Sequence, residues 1–172
     1  HHLASAHQEA GNYETAEDVF DLWLGIYREE FGGGHPDVAG VMDDLATLYT
    51  ATNRFNQALD LHFQAREIKE AALGRDHHSV GITQVNLGMA YGALQSFHDA
   101  EREILRGIEI FELAGSSDNL DLAGAKQALG IIYTYQMRVQ EALDQLLGAW
   151  EIKREVLGPR HPDLISAEVN MA

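Results

Sequence analysis

From Pro36 to Ala51 the apolar residues Val38, Val41, Met42, Leu45, Leu48 and Tyr49 recur at steps of three and four. That spacing predicts an amphipathic helix with one face turned inward. Pro36 suits the first turn, where its missing N–H costs nothing, and Asp37 complements the helix dipole. Thr52-Asn53-Arg54 breaks the pattern, and Asn53 tolerates the left-handed conformation that ends a helix, as do Gly11-Asn12 one step earlier. A second helix is predicted from about Phe55 to Ala72, with Leu61, Ala65 and Ile68 inward, and Leu73-Gly74 stops it.

This two-helix pattern repeats every 42 residues. Leu3, Leu45, Leu87 and Leu129 are in register, each followed by a small residue: Ala4, Ala46, Gly88 and Gly130. Tyr49, Tyr91 and Tyr133 share a position, with His7 in the first copy. Tyr13, Phe55, Phe97 and Val139 precede Ala16, Ala58, Ala100 and Ala142, and Ile26, Ile68, Ile110 and Ile152 close the unit. Phe31-Gly32 with His35-Pro36, Leu73-Gly74 with His77-His78 and Leu157-Gly158 with His161-Pro162 form equivalent links, which Gly115-Ser116 and Asn119-Leu120 match only in part. The units fall at about 1–34, 35–76, 77–118 and 119–160, with a partial unit at 161–172.

The small residues predict close helix packing. Ala46, Gly88 and Gly130 are expected to face Ala58, Ala100 and Ala142, where larger side chains would wedge each pair apart. Each pair buries one face against its neighbour, so the units are expected to stack.

The order Leu, Ala or Gly, Tyr, aromatic, Ala resembles the tetratricopeptide repeat, whose usual unit is 34 residues. The 42-residue unit with its Leu-Gly-x-x-His-Pro link resembles the repeats of kinesin light chains and nephrocystin-type proteins. The resemblance implies an all-α, right-handed superhelical solenoid of antiparallel helix pairs that binds partners and catalyses nothing. It implies also that the first helix of each pair lines a concave groove. Carried over by register, that groove would hold Gly40, Asp43, Thr47 and Thr50, then Ile82, Val85, Asn86 and Met89, then Gln127, Ile131, Thr134 and Tyr135. Apolar residues at Ile82, Val85, Met89, Ile131 and Tyr135 would mark an interaction site; burial by curvature or a neighbouring segment is the alternative. Asn86 occupies the place where related repeats hold a peptide backbone. Relatives that grip carboxylate termini use groove lysines, whereas the matching positions here are Asp43, Val85 and Gln127. The groove therefore offers little to an acidic peptide.

Composition narrows the partners. Asp and Glu outnumber Lys and Arg by 27 to 12, a formal charge of −15, which argues against nucleic acid and anionic membranes. Residues 1–42 carry eight carboxylates and one arginine; Glu9, Glu14, Glu17, Asp18 and Asp21 either attract a basic segment or form a solvated face. Cysteine is absent, so no disulfide framework is possible and the redox compartment cannot be read from the chain. No membrane-spanning apolar run or leader is visible, and a cytoplasmic location is expected. His1-His2 is either native or a tag remnant.

Nine histidines raise the question of metal. His35, His77 and His161 recur at repeat spacing, which predicts a structural hydrogen bond to the next helix start. Asp76-His77-His78 is a weak metal candidate, and His98-Asp99 with Glu101 lacks a second His at helical spacing. No phosphate loop or nucleophile motif occurs, so neither cofactor nor metal is expected. The first copy lacks the opening of its first helix and Pro162 to Ala172 begins a fifth unit, which reads as a segment of a longer array. The expected function is a protein-interaction scaffold holding a peptide or helix of a partner protein; the alternative is a structural spacer contacting other subunits of a large assembly through its outer faces.

Overall fold

A computed structural model describes residues 12–115, 120–158 and 161. Among them are seven helices: α1 (Tyr13–Phe31), α2 (Pro36–Ala51), α3 (Phe55–Leu73), α4 (His78–Ala93), α5 (Phe97–Leu113), α6 (Leu120–Tyr135) and α7 (Val139–Leu157). The starts of α2, α4 and α6 are 42 residues apart, as are those of α1, α3, α5 and α7. The expected ends of the array, before Asn12 and from Pro162 onward, lie outside the described residues.

Two kinds of turn set the repeat. Within a pair, the chain reverses at Asn53, Gln95 and Met137, each at φ +61°. Only the first of these is a residue type that readily adopts the left-handed region. Between pairs, α1, α3 and α7 end on Gly32, Gly74 and Gly158 at φ +84°, +93° and +82°, with the glycine N–H donating to Arg28, Glu70 and Arg154. The link histidines then start the next helix. His35 Nδ1 accepts from the Asp37 amide, and His77 Nδ1 from the Ser79 amide, both at 3.2 Å, as their recurrence predicts.

Close packing follows from the small residues. A methyl group placed on Gly88 would meet the Ala100 carbonyl oxygen at 2.9 Å and collide with Ile104. On Gly130 it would meet the Ala142 oxygen at 3.2 Å and Leu146 at 2.8 Å. Ala16, Ala58, Ala100 and Ala142 are all buried. Each helix packs on the next, and the first helices of successive pairs touch: α2 on α4 and α4 on α6.

The buried apolar residues form two clusters. One gathers Phe20, Leu24, Val38, Met42, Leu45 and Leu48 from α1 and α2 with Ala65 from α3. The other gathers Ile104 and Phe111 from α5 with Leu122, Leu129, Ile132 and Tyr133 from α6 and Ala142 from α7. Where α3 meets α4, buried polar side chains join the two: His62, Lys69 and Thr83 around Asp43.

Candidate functional site

The facing surfaces of α4 and α6 enclose two adjoining depressions. The first, about 340 Å³, is lined by Ile82, Val85, Asn86 and Met89 from α4 and by Gln127 and Ile131 from α6, among others. The second, about 300 Å³, lies toward the C-terminal ends of both helices, where Tyr135 and Phe97 stack with their rings 5.6 Å apart and nearly parallel. Met89, Ala128 and Ile131 line both, so Met89 and Ile131 form a ridge between them. These two ridge residues are 55% and 46% exposed and Tyr135 is 67% exposed. A third depression, about 420 Å³, continues toward α2 and is lined by Gly40, Asp37, Lys69 and Ile82.

Seven of the residues assigned to the groove by register, Ile82, Val85, Asn86, Met89, Gln127, Ile131 and Tyr135, thus surround adjoining depressions. Val85 is half-buried, because its Cγ2 sits where a side chain on Gly107 of α5 would be. Thr47 and Thr134 are exposed but line neither depression of the α4–α6 face. Their hydroxyls donate to the carbonyls of Asp43 and Gly130 one turn back, both at 2.9 Å.

Asp43 corrects the register argument. It is 4% exposed, and its carboxylate accepts from Lys69 Nζ at 2.6 Å and from Thr83 Oγ1 at 2.5 Å, and meets His62 Nδ1 at 2.7 Å. Burial pushes its pKa up, but the His62 hydrogen bond and the Lys69 charge outweigh this and hold it below the usual value. Asp43 turns inward because the Lys69 ammonium, reaching in from α3, is buried and needs an anion beside it, and Thr83 of α4 donates to the same carboxylate. The sequence carried a signal for this: Asp43 stands inside an apolar stripe, and Lys69 follows 26 residues later. The same offset recurs in Gln127 and Lys153, whose Nζ lies 2.6 Å from Gln127 Oε1. In the copy between them the positions hold Val85 and Phe111.

The acidic first copy is also partly engaged. Glu17 accepts two hydrogen bonds from Arg54, at 2.8 and 2.7 Å, and one from the Tyr49 hydroxyl at 3.1 Å. The Arg54 bond is the chief cause of its lowered pKa. Glu14, Asp18 and Asp21 remain exposed, while Glu9 lies outside the described residues. Among the described residues no group of three or more His, Asp or Glu is placed to hold a metal, and no helix is long and apolar enough to cross a membrane. His78 pairs with Asp121 at 2.8 Å.

Two models of the tetratricopeptide repeat match the sequence, over residues 1–71 and 122–163. The chain belongs to the tetratricopeptide repeat family. Its repeats are similar to those of kinesin light chains. Among sequence relatives, Protein KINESIN LIGHT CHAIN-RELATED 2 of Arabidopsis thaliana is 23% identical over 171 residues, 99% of this chain and 26% of the relative. The tetratricopeptide chain thus spans about a quarter of the length of the curated relative it matches. Among solved structures, BtubC (BKLC) from P. vanneervenii superposes with a TM-score of 0.77 at 24% identity, covering 93% of this chain and 63% of that one. A putative kinesin light chain with nearly identical TPR-like repeats, from Podosopora anserina, gives 0.77 at 23% identity, covering 98% and 80%. These likenesses establish an all-α, TPR-like superhelical fold.

Proposed function

We propose that this tetratricopeptide chain is a protein-interaction scaffold that holds a peptide or helical segment of a partner protein against the α4–α6 face. The observation that carries the reading is the exposure of Met89, Ile131 and Tyr135 along two joined depressions. Apolar side chains left open on a shared concave surface gain when a partner covers them, about 25 cal/mol per Å² of apolar area removed from water. Asn86 lines the same surface and supplies an amide that both donates and accepts, suited to an extended backbone.

Affinity capture from extracts of the parent organism tests this. Wild type is compared with Met89→Glu/Ile131→Glu, both exposed enough for the fold to survive, with circular dichroism as the control. Partners recovered by wild type should be lost by the double variant. Recovery by both would turn attention to a structural spacer working through its outer faces, a reading favoured by Leu22 and Leu113, 63% and 66% exposed on α1 and α5. Leu22→Glu/Leu113→Glu is the matching variant for that case.

A further inference from the structure

The two depressions between α4 and α6 are poor in charge, although the chain carries −15. No charged side chain lines the second, and the one that lines the first, Asp121, is paired with His78 at 2.8 Å. The neighbouring lysines are engaged as well: Lys126 pairs with Glu112, and Lys153 Nζ is held by Gln127 Oε1 at 2.6 Å. A charged guest would leave water here and meet no counter-charge, which is costly. Besides apolar area, the walls of the first depression offer side-chain amides. Asn86 is half-buried and makes no side-chain hydrogen bond among the described residues. Gln127, with its oxygen turned to Lys153, keeps its amide N–H groups for an incoming carbonyl. A helical guest satisfies its own backbone, whereas an extended one presents N–H and C=O groups that such amides can bond.

We propose that the occupant of this groove is an extended, uncharged segment of a partner protein, with two apolar side chains three residues apart seated on either side of the Met89–Ile131 ridge and its backbone bonded by Asn86 and Gln127. The proposal rests on the groove reading above and adds the chemistry of the guest. The ridge divides the apolar floor into two seats, which fixes two anchors. On α4 the first seat is lined by Ile82, Val85 and Asn86 and the second by Met89, Gly92 and Ala93. The seats are thus about six residues apart along the helix, or about 9 Å at its rise per residue. A segment in the polyproline II form advances about 3.1 Å per residue and returns to one face every third residue, so side chains i and i+3 span the same distance. On a helix only i and i+7 would match it, and the residues between them would strike the exposed ridge. The parallel rings of Phe97 and Tyr135 wall the second seat, and Met89, unbranched, adapts to an aliphatic or an aromatic anchor.

Random peptides displayed on phage, selected on the full chain, test the assignment. Enriched sequences should carry apolar residues at i and i+3, with no Asp, Glu, Lys or Arg between them. Synthetic copies should bind with an affinity that salt scarcely changes. Lys or Glu placed between the anchors should each weaken binding about tenfold, the same way for either sign. Asn86→Leu, with its fold checked by circular dichroism, should weaken binding of these peptides about fivefold. Met89→Gln/Tyr135→Ser should abolish it. Enrichment of acidic or basic residues between the anchors, or strong salt dependence, overturns the uncharged guest. Anchors at i and i+7, or no effect of Asn86→Leu, overturn the extended form. Either result leaves the groove reading intact, provided binding still fails on Met89→Gln/Tyr135→Ser. Full binding by that last variant, or no enrichment at all, overturns the groove reading as well.

Discussion

Lys69 Nζ lies 2.6 Å from Asp43 Oδ2 inside the solenoid, with both side chains nearly sealed from solvent. Removing one partner of a buried ion pair leaves an uncompensated charge, whereas a well-packed apolar set can replace the whole without loss. The protein contains such a set at the same register: Val85, Ile104 and Phe111 stand where Asp43, His62 and Lys69 stand one unit earlier. Asp43→Ala alone is therefore expected to destabilise by about 3–5 kcal/mol. The triple exchange Asp43→Val, His62→Ile, Lys69→Phe should recover most of that. Urea unfolding of the two variants beside wild type measures both; a triple variant no more stable than the single one would show that the network has no apolar equivalent here.

A second polar device alternates along the array. Arg54 lies 3.9 Å above the Tyr49 ring and grips Glu17; Arg138 lies 4.0 Å above Tyr133 and grips Glu101 at 2.7 Å. The joint between these two holds Leu59, Tyr91 and Ser96 at the same positions, so no clasp forms there. Leu59→Glu with Ser96→Arg is expected to build one, stabilising by about 0.5 kcal/mol, the usual worth of a partly exposed pair. Thermal melts at low and high salt check this: the gain should appear at low salt and shrink at high salt, and a salt-independent change would assign it to something other than the clasp.

The apolar rhythm made the helices and their packing legible, because burial selects residue type at every turn of a 42-residue unit. Gly88 and Gly130 were readable as contact points for the same reason: backbone atoms of Ala100 and Ala142 leave no room for a side chain. Ile82, Met89 and Ile131 stood out in the sequence because they are apolar at positions the repeat does not need for packing, and they line the depressions between α4 and α6. Asp43 was misplaced because register fixes a direction from the helix and says nothing about what reaches in from neighbouring helices. Lys69 and Thr83 come from two other helices, and only three-dimensional proximity reveals that they converge. The reach of Arg54 to Glu17 was hidden likewise, since it joins positions 37 residues apart.

Met137 holds a left-handed backbone at φ +61° and is 82% exposed. A β-carbon in that region carries a steric cost that glycine avoids and asparagine reduces, and little packing is at stake. Met137→Gly should therefore raise stability by up to about 1 kcal/mol, with Met137→Asn in the same direction. Thermal unfolding followed by circular dichroism decides it. A lower midpoint for both variants would mean that the methionine side chain contributes more at this turn than its exposure indicates.

Asp44 gives the protein a pH dependence of a particular sign. Its pKa rises from an ordinary 3.8 to about 6, first through burial and then through the charge on Asp43. Between those two values the folded state binds more protons at this site than the unfolded chain does. Its contribution to stability is thus fully present below pH 3.8 and is lost as pH rises through about 6. Asp43 and Glu17 act oppositely: their lowered pKa values favour the fold above the ordinary carboxylate range and cease to do so as pH falls. The two trends overlap in wild type, so the informative quantity is the difference from Asp44→Asn, which removes one of them. That variant should gain stability relative to wild type as pH is raised from 4 to 6 and hold a constant advantage above it. Denaturant midpoints taken across this range measure the difference directly, and a difference that does not change with pH would show that folding leaves the pKa of Asp44 at its ordinary value.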